Sequence, residues 1–557
     1  MTRDRREAAA LGAIVLAALG LRLFLLDGQS LWYDEGVSAY MTPRSFAEIA
    51  TATAVDIHPP LYYWLLMLWS VPFGPGEVAL RSFSVALGTL MVWTTWGVGR
   101  AVGGRAVGLA AAALLAVSPL AVQYSQEVRM YALAGLLAAA SSWAGLALLR
   151  AILDDTATRR RRIVLALSYG LLAGALLYTQ YYGSLVVVAQ QAFAAWTLLR
   201  TRCWRIVPFW ALGSGLAATL FLPWLPVAVR QAGYYPGLGS PQPAWALVLD
   251  AVNVLSIGVA TTRFAFRAGL APFLMLAVLG TGSAGAGSAG AGSAGTGSAG
   301  TGSAGTGSAG AINRAPTGAD VPVGARFIAP LGGEARLLVL LWLIVPILGI
   351  VALSQTRPLY EPRFLMLVLP AWTILVGAGL VALGSAVSRL PLPATARTLA
   401  VSAVAAIVAA LLLIPTARSL GSYFFDPAYA RDDYRGLAQT VALREQPDDA
   451  VILTAPGQIE IFSYYYRGQS DLFPLPQQRP IDRADTQARL EALSADRDRV
   501  WLVRWAAHEA DPDDLILDWL EGRGRRLGSQ QFGRVELRLY DLRATAMAPR
   551  NLLGDSR

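Results

Sequence analysis

Asp34 and Glu35 stand side by side in LWYDEGVSAY, and DIHPPLYYW soon adds Asp56 and His58 ahead of a Pro-Pro corner. An ionised carboxylate within hydrogen-bond reach of a hydroxyl can take its proton as the oxygen attacks, and neighbouring charges tune the carboxylate's state. Asp34 has the residue type for such a base, Glu35 and Asp56 for supporting it, and His58 for positioning a substrate. The same side chains offer ligands to a divalent cation, which stays open as a cofactor. No metal site is assigned, because no H-x-x-x-H spacing occurs and the chain has only 2 histidines. Asp34 also suits the N-cap of a helix starting at Gly36. Capping alone does not explain why Trp32, Tyr33, Asp34, Glu35, Asp56, His58 and two prolines share one short stretch.

The elements that must position these residues are apolar. Of 557 residues 55% are hydrophobic and 15% charged, mean hydropathy is +0.46, and the apolar residues gather in long runs with short charged breaks. That pattern excludes a single soluble core and predicts a polytopic α-helical membrane protein. About 11 transmembrane helices are expected, near 8–26, 79–99, 106–122, 130–149, 163–180, 182–199, 207–229, 268–280, 335–353, 364–384 and 397–415. The first reads as a retained helix rather than a cleaved signal, since no small-residue cleavage site precedes Asp34. The apolar piece near 245–262, interrupted by Asp250 and Asn253, reads as surface-lying or re-entrant.

Arginine orients the bundle, because short basic loops stay in the cytoplasm. Arg3, Arg5, Arg6, Arg100, Arg105, Arg159 to Arg162, Arg200, Arg202 and Arg205 fall on one side if the N-terminus is inside. The 27–60 loop with its acids then lies outside the cytoplasmic membrane, as does the C-terminal region. The net charge of +9 comes from arginine alone, much of it in those inner loops, and does not imply nucleic-acid binding. The lone Cys203 cannot form an internal disulfide, which fits a bacterial envelope.

Two regions stand apart from the 1–420 transmembrane unit. Within 281–330, TGSAG and AGSAG units repeat with almost no side chain to bury, which predicts a flexible cytoplasmic insert. Residues 421–557 are charged and mixed. Strand-like runs at 450–455, 500–505 and 534–540 alternate there with helical patterns at 432–446 and 511–523, predicting a small extracytoplasmic α/β domain. Its simplest reading is a structural cap.

WYDEG after the first helix, DIHPPLYYW before the second, SPLAVQYSQEVRMYAL (118–133) and RPLYEPRFLMLVLP (357–370) resemble the C-type membrane glycosyltransferases. The likeness is to the group, glycosyltransferase family 39-like, of protein O-mannosyltransferases and lipid A aminoarabinose transferases, and it covers about the first 420 residues. It implies inverting transfer of a sugar from a polyprenyl-phosphate carrier to a lipid, glycan or protein hydroxyl at the outer face. Asp34 matches the position that acts on the acceptor, Glu35 its partner, and His58, Pro59 and Pro60 the corner that shapes the cleft. The residues before the two prolines depart from the aminoarabinose transferases and favour the mannosyltransferase-like side.

A departing lipid phosphate needs cations. The resemblance places a basic residue at Arg363, whose bland reading is an interfacial anchor. Arg129 is a second substrate candidate, although Glu127 beside it offers a structural ion pair instead. Outer aromatic residues belong to interface belts in general, with Tyr33 and Tyr182 the candidates for stacking on a sugar. A transporter or flippase would share the many spans, but no duplicated halves occur and the acids cluster in one outer loop. A non-catalytic assembly protein for envelope polysaccharide is the remaining alternative.

Overall fold

The computed structural model describes residues 3–234, 241–260, 267–282, 334–455, 457–478 and 480–543. Beyond Gly282 the Gly/Ser/Ala-rich insert lies outside the described residues. Each apolar run expected to span coincides with a helix or a broken pair, from Arg3–Leu23 to Ala394–Phe425. Among the described residues, 6 of these helices can cross a membrane by length and composition, or 7 if Arg105–Val117 and Pro119–Ser125, bent by 60°, form one broken span. The others fall short for reasons visible in their sequences. Arg159–Leu177 opens on four arginines, and Arg267–Gly282 has only 16 residues. Ala244–Ile257, with 14 residues, reaches only about 21 Å. That is well under the ~30 Å of a bilayer core.

Small residues let the bundle close. A Cβ on Gly99 would lie 3.0 Å from the Cα of Gly108, and Gly379 would collide with the carbonyl of Leu276. Such approaches supply the van der Waals packing that holds helices together in lipid. The 60° bend has a local cause. Pro119 has no N–H to give Leu115, and the fully buried Arg22 fills the gap, donating to the carbonyls of Leu115 (3.3 Å) and Ala116 (3.0 Å) and to Ser125 Oγ (3.1 Å). This break aims the 126–130 loop at the acids of the first loop.

The 32-residue helix Ala394–Phe425 leads into the C-terminal domain. Its five strands are β1 (Ala450–Leu453), β2 (Asp471–Pro474), β3 (Arg499–Arg504), β4 (Arg525–Phe532) and β5 (Val535–Asp541), in the order β2-β1-β3-β5-β4. β1 runs parallel to β2 and β3, while β5 is antiparallel to β3 and β4. The runs expected as strands form β1, β3 and β5. Alternate residues serve two cores, as a pleated sheet requires. Ala450, Ile452, Val500 and Leu502 face a local cluster with Leu490, Ile516 and Leu520. Val451, Leu453, Trp501 and Val503 join the same continuous core as the helix bundle.

Candidate active site

Trp32, in an extended conformation, precedes the helix Tyr33–Tyr40, so Asp34 lies inside the first turn and Trp32 takes the cap position. The Asp34 side chain turns instead to two arginines. Its Oδ2 accepts from Arg363 Nη1 at 3.0 Å and lies 3.6 Å from Arg129 Nη2. Arg129 also donates through Nη1 to the Asp34 carbonyl at 3.2 Å. The Asp34 side chain remains 20% exposed, so the carboxylate is paired yet reachable.

Glu35, one residue on, is fully buried. Its Oε1 accepts from Arg81 Nε (3.0 Å) and Val128 N (2.9 Å), and its Oε2 from Arg81 Nη2 (2.8 Å), Arg431 Nη1 (2.8 Å) and Trp32 N (3.3 Å). Burial pushes this carboxyl up, but Arg431 and Arg81 hold it below the usual carboxylate range. These bonds tie the first loop to Arg81, Val128 and Arg431.

Asp56 ends the helix Phe46–Val55, and its Oδ2 lies 3.0 Å from His58 Nδ1. His58 Nε2 faces Arg129 Nη2 at 3.3 Å. A guanidinium can only donate, so Nε2 must be the acceptor and the ring proton sits on Nδ1, donated to Asp56. Burial, with Arg129 adding to it, holds the His58 imidazole below the usual 6.5, against the opposing pull of Asp56 and Asp34. Asp56 is itself held below the usual range: burial raises it, but His58, the Ile57 N–H and Arg129 together outweigh that. The result is a chain from Asp56 through His58 and Arg129 to Asp34 and Arg363.

The tautomer yields a prediction. A group whose folded-state value is depressed stays neutral while the unfolded chain takes up protons, so the stability it brings is present above pH 6.5 and lost as pH falls toward the folded value. Protonated His58 can no longer accept from Arg129, with Asp56, Asp34 and the Tyr63 hydroxyl as the other polar groups around this pair. Activity therefore falls at a pH below 6.5, and a His58→Gln variant, which keeps an acceptor but cannot titrate, lacks that acid limb in a pH–rate profile.

Arg363 follows Pro362 at the start of the short 3-10 helix Pro362–Leu367, with its guanidinium 5.8 Å from the Tyr131 ring and 5.9 Å from that of Phe364. Its Nε and that of Arg129 are buried and have no hydrogen-bond acceptor among the described residues. Tyr182 packs on Phe364 at 4.6 Å between ring centroids. Tyr33 stacks on Trp505 of the C-terminal domain at 4.7 Å, which commits that ring face to the domain junction rather than to a sugar.

The ion pair expected between Arg129 and Glu127 does not form. Arg129 goes to Asp34 and His58, because the bent helix turns it toward the first loop, while Glu127 Oε1 lies 3.3 Å from Arg431 Nη2. Burial pushes the Glu127 carboxyl up to about 7 even with Arg431 pulling the other way. Sequence reasoning missed Arg81 and Arg431. Arg81 carried a signal, an arginine near the mouth of an apolar helix, whereas Arg431 carried none. For a metal, no group of three His, Cys, Asp or Glu side chains comes together among the described residues. Asp34 is paired with two arginines and Asp56 with His58.

Residues 57–226 match the family model described as dolichyl-phosphate-mannose-protein mannosyltransferase. Among solved structures, the chain is similar to ArnT from Cupriavidus metallidurans bound to undecaprenyl phosphate, at 15% identity and a TM-score of 0.57 over 95% of this chain and 97% of that one. It is also similar to the archaeal oligosaccharyltransferase AglB from Archaeoglobus fulgidus, in complex with an inhibitory peptide and a dolichol-phosphate, at 13% identity and a TM-score of 0.55 over 97% of this chain and 74% of that one. No curated protein sequence matches the chain.

Proposed function

We propose that this chain, which has the fold of the C-type membrane glycosyltransferases, moves a sugar from a polyprenyl-phosphate carrier to an acceptor hydroxyl at the outer face of the cytoplasmic membrane. The observation that carries this reading is Asp34, a partly exposed carboxylate set between two arginines in a loop beside the bundle. The acceptor oxygen attacks the anomeric carbon from the side opposite the phosphate. As the new bond forms, the hydroxyl proton passes to Asp34, and the sugar–phosphate bond breaks with its electron pair left on the phosphate. The anomeric centre inverts.

Arg363 and Arg129 suit the anion that departs. Each presents a buried Nε with no acceptor among the described residues, and a charge-assisted bond to a phosphate oxygen would satisfy it. The undecaprenyl phosphate of ArnT and the dolichol-phosphate of AglB support a lipid-linked donor here, and a tilted pair of rings, Tyr182 and Phe364, lies beside Arg363. An N-terminus inside the cell, as the arginine distribution implies, sets this chemistry and the C-terminal domain outside.

The test is transfer by purified protein in lipid bilayers, offered a panel of polyprenyl-phosphate sugars together with lipid, glycan and peptide hydroxyl acceptors. Product of inverted configuration from at least one donor is expected. Failure with every donor, by correctly inserted protein, overturns the reading.

A further inference from the structure

We infer that Arg431 is a positioning residue for this reaction: from the C-terminal domain it ties together the two loops that carry Asp34 and Arg129, so the domain completes the site. The inference rests on Asp34 being the base. Arg431 lies between the helix Ala394–Phe425 and the helix Tyr434–Arg444, and its side chain is 12% exposed. One arm reaches Glu35 Oε2 at 2.8 Å, next to Asp34, and the other reaches Glu127 Oε1 at 3.3 Å, two residues before Arg129. Its backbone N–H adds a bond to Gln29 Oε1 at 2.9 Å.

The two carboxylates do not depend on Arg431 equally. Glu35 has a full partner in Arg81, which also binds the carbonyls of Leu26, Gln29 and Ser30. Glu127 does not: its Oε1 meets Arg431, and its Oε2 has no partner among the described residues. What Arg431 adds to Glu35 is therefore less its neutralisation than a link across to the second loop. Val128 N, which donates to Glu35 Oε1 at 2.9 Å, and Arg129 Nη1, which donates to the Asp34 carbonyl at 3.2 Å, also stitch the same loops.

The domain is fitted closely enough for that link to be stiff. Gly36 leaves no room for a Cβ against Ile461, Leu31 N donates to Tyr465 Oη at 2.6 Å, and Ser30 Oγ donates to the Asp432 carbonyl at 2.8 Å. A misplacement of about 1 Å in a reacting group can cost about 10²-fold in rate.

The experiment compares full-length variants in bilayers. Arg431→Gln is expected to lower kcat by about 10²-fold with the donor KM little changed. Arg435→Gln serves as the control, since Arg435 joins the domain to the bundle through Glu77 at 2.6 Å and the Asp27 carbonyl, 40% exposed and adjoining neither Asp34 nor Arg129. It is expected to stay near wild-type turnover. Adding Glu127→Gln to Arg431→Gln removes the orphaned charge and restores part of kcat. Equal losses from Arg431→Gln and Arg435→Gln, full turnover in Arg431→Gln, or strictly additive effects in the double variant would each overturn the proposal.

Hydrogen–deuterium exchange needs no substrate and separates this idea from the proposed activity. In Arg431→Gln, or in Arg431→Lys if the first folds poorly, exchange should rise in both the 27–40 and 126–130 segments. A rise confined to one of them sinks the inference even if wild-type transfer is never detected.

Discussion

Asparagine at position 34 lowers transfer by about 10²–10⁴-fold, the range a lost general base commonly costs. The replacement is nearly isosteric, and its carbonyl oxygen can still accept from Arg363 Nη1, which now stands 3.0 Å from Oδ2. It cannot take the acceptor's proton. Arg129 keeps its bonds to His58 and to the backbone carbonyl of residue 34, so the loop stays braced. Turnover should therefore fall while elution from a sizing column and the melting temperature stay close to wild type. Full transfer by Asp34→Asn would remove Asp34 from the chemistry. A loss accompanied by misfolding would instead assign it a packing role.

What could be read beforehand divides along sequence separation. Asp34 and the Asp56–His58–Pro59–Pro60 corner stand out locally: acids in a break between apolar runs demand an explanation wherever the chain goes next. The helices were legible because an apolar run of bilayer length has few alternatives. The 106–122 run hid its break, although Pro119 marks it, because hydropathy does not register the missing N–H that bends the backbone. In the C-terminal domain β1, β3 and β5 announced themselves through buried aliphatic residues. β2 (DLFP) and β4 (RRLGSQQF) lie at the two edges of the sheet, where polar and charged residues are tolerated.

Glu35 was the hardest to read, since its type and place beside Asp34 suggest chemistry while its partners lie 46 and 396 positions away in the chain. No local pattern encodes such pairings. For the same reason sequence proximity pairs Arg129 with Glu127, its near neighbour, whereas the bent helix and the C-terminal domain set the actual partners.

Such pairing makes Glu35 the site of the largest stability effect. Arg81 and Arg431 both point at it, at 2.8 Å each, from 2% and 12% exposed side chains. Removing one partner of a buried ion pair leaves the other charge without compensation, which typically costs about 3–5 kcal/mol. Glu35→Gln sets an amide N–H₂ among donors that need acceptors, so the penalty should approach that range and appear as a large drop in the melting temperature of detergent-solubilised protein. The pH dependence has a definite sign. Because the Glu35 carboxyl is held below its usual value of 4.5, its contribution is present above that pH and lost as pH falls through the folded-state value. The wild-type advantage over Glu35→Gln should therefore shrink on acidification. A Glu35→Gln protein as stable as wild type but inactive would move Glu35 from scaffold to chemistry, and the division of labour between the two adjacent acids would have to be redrawn.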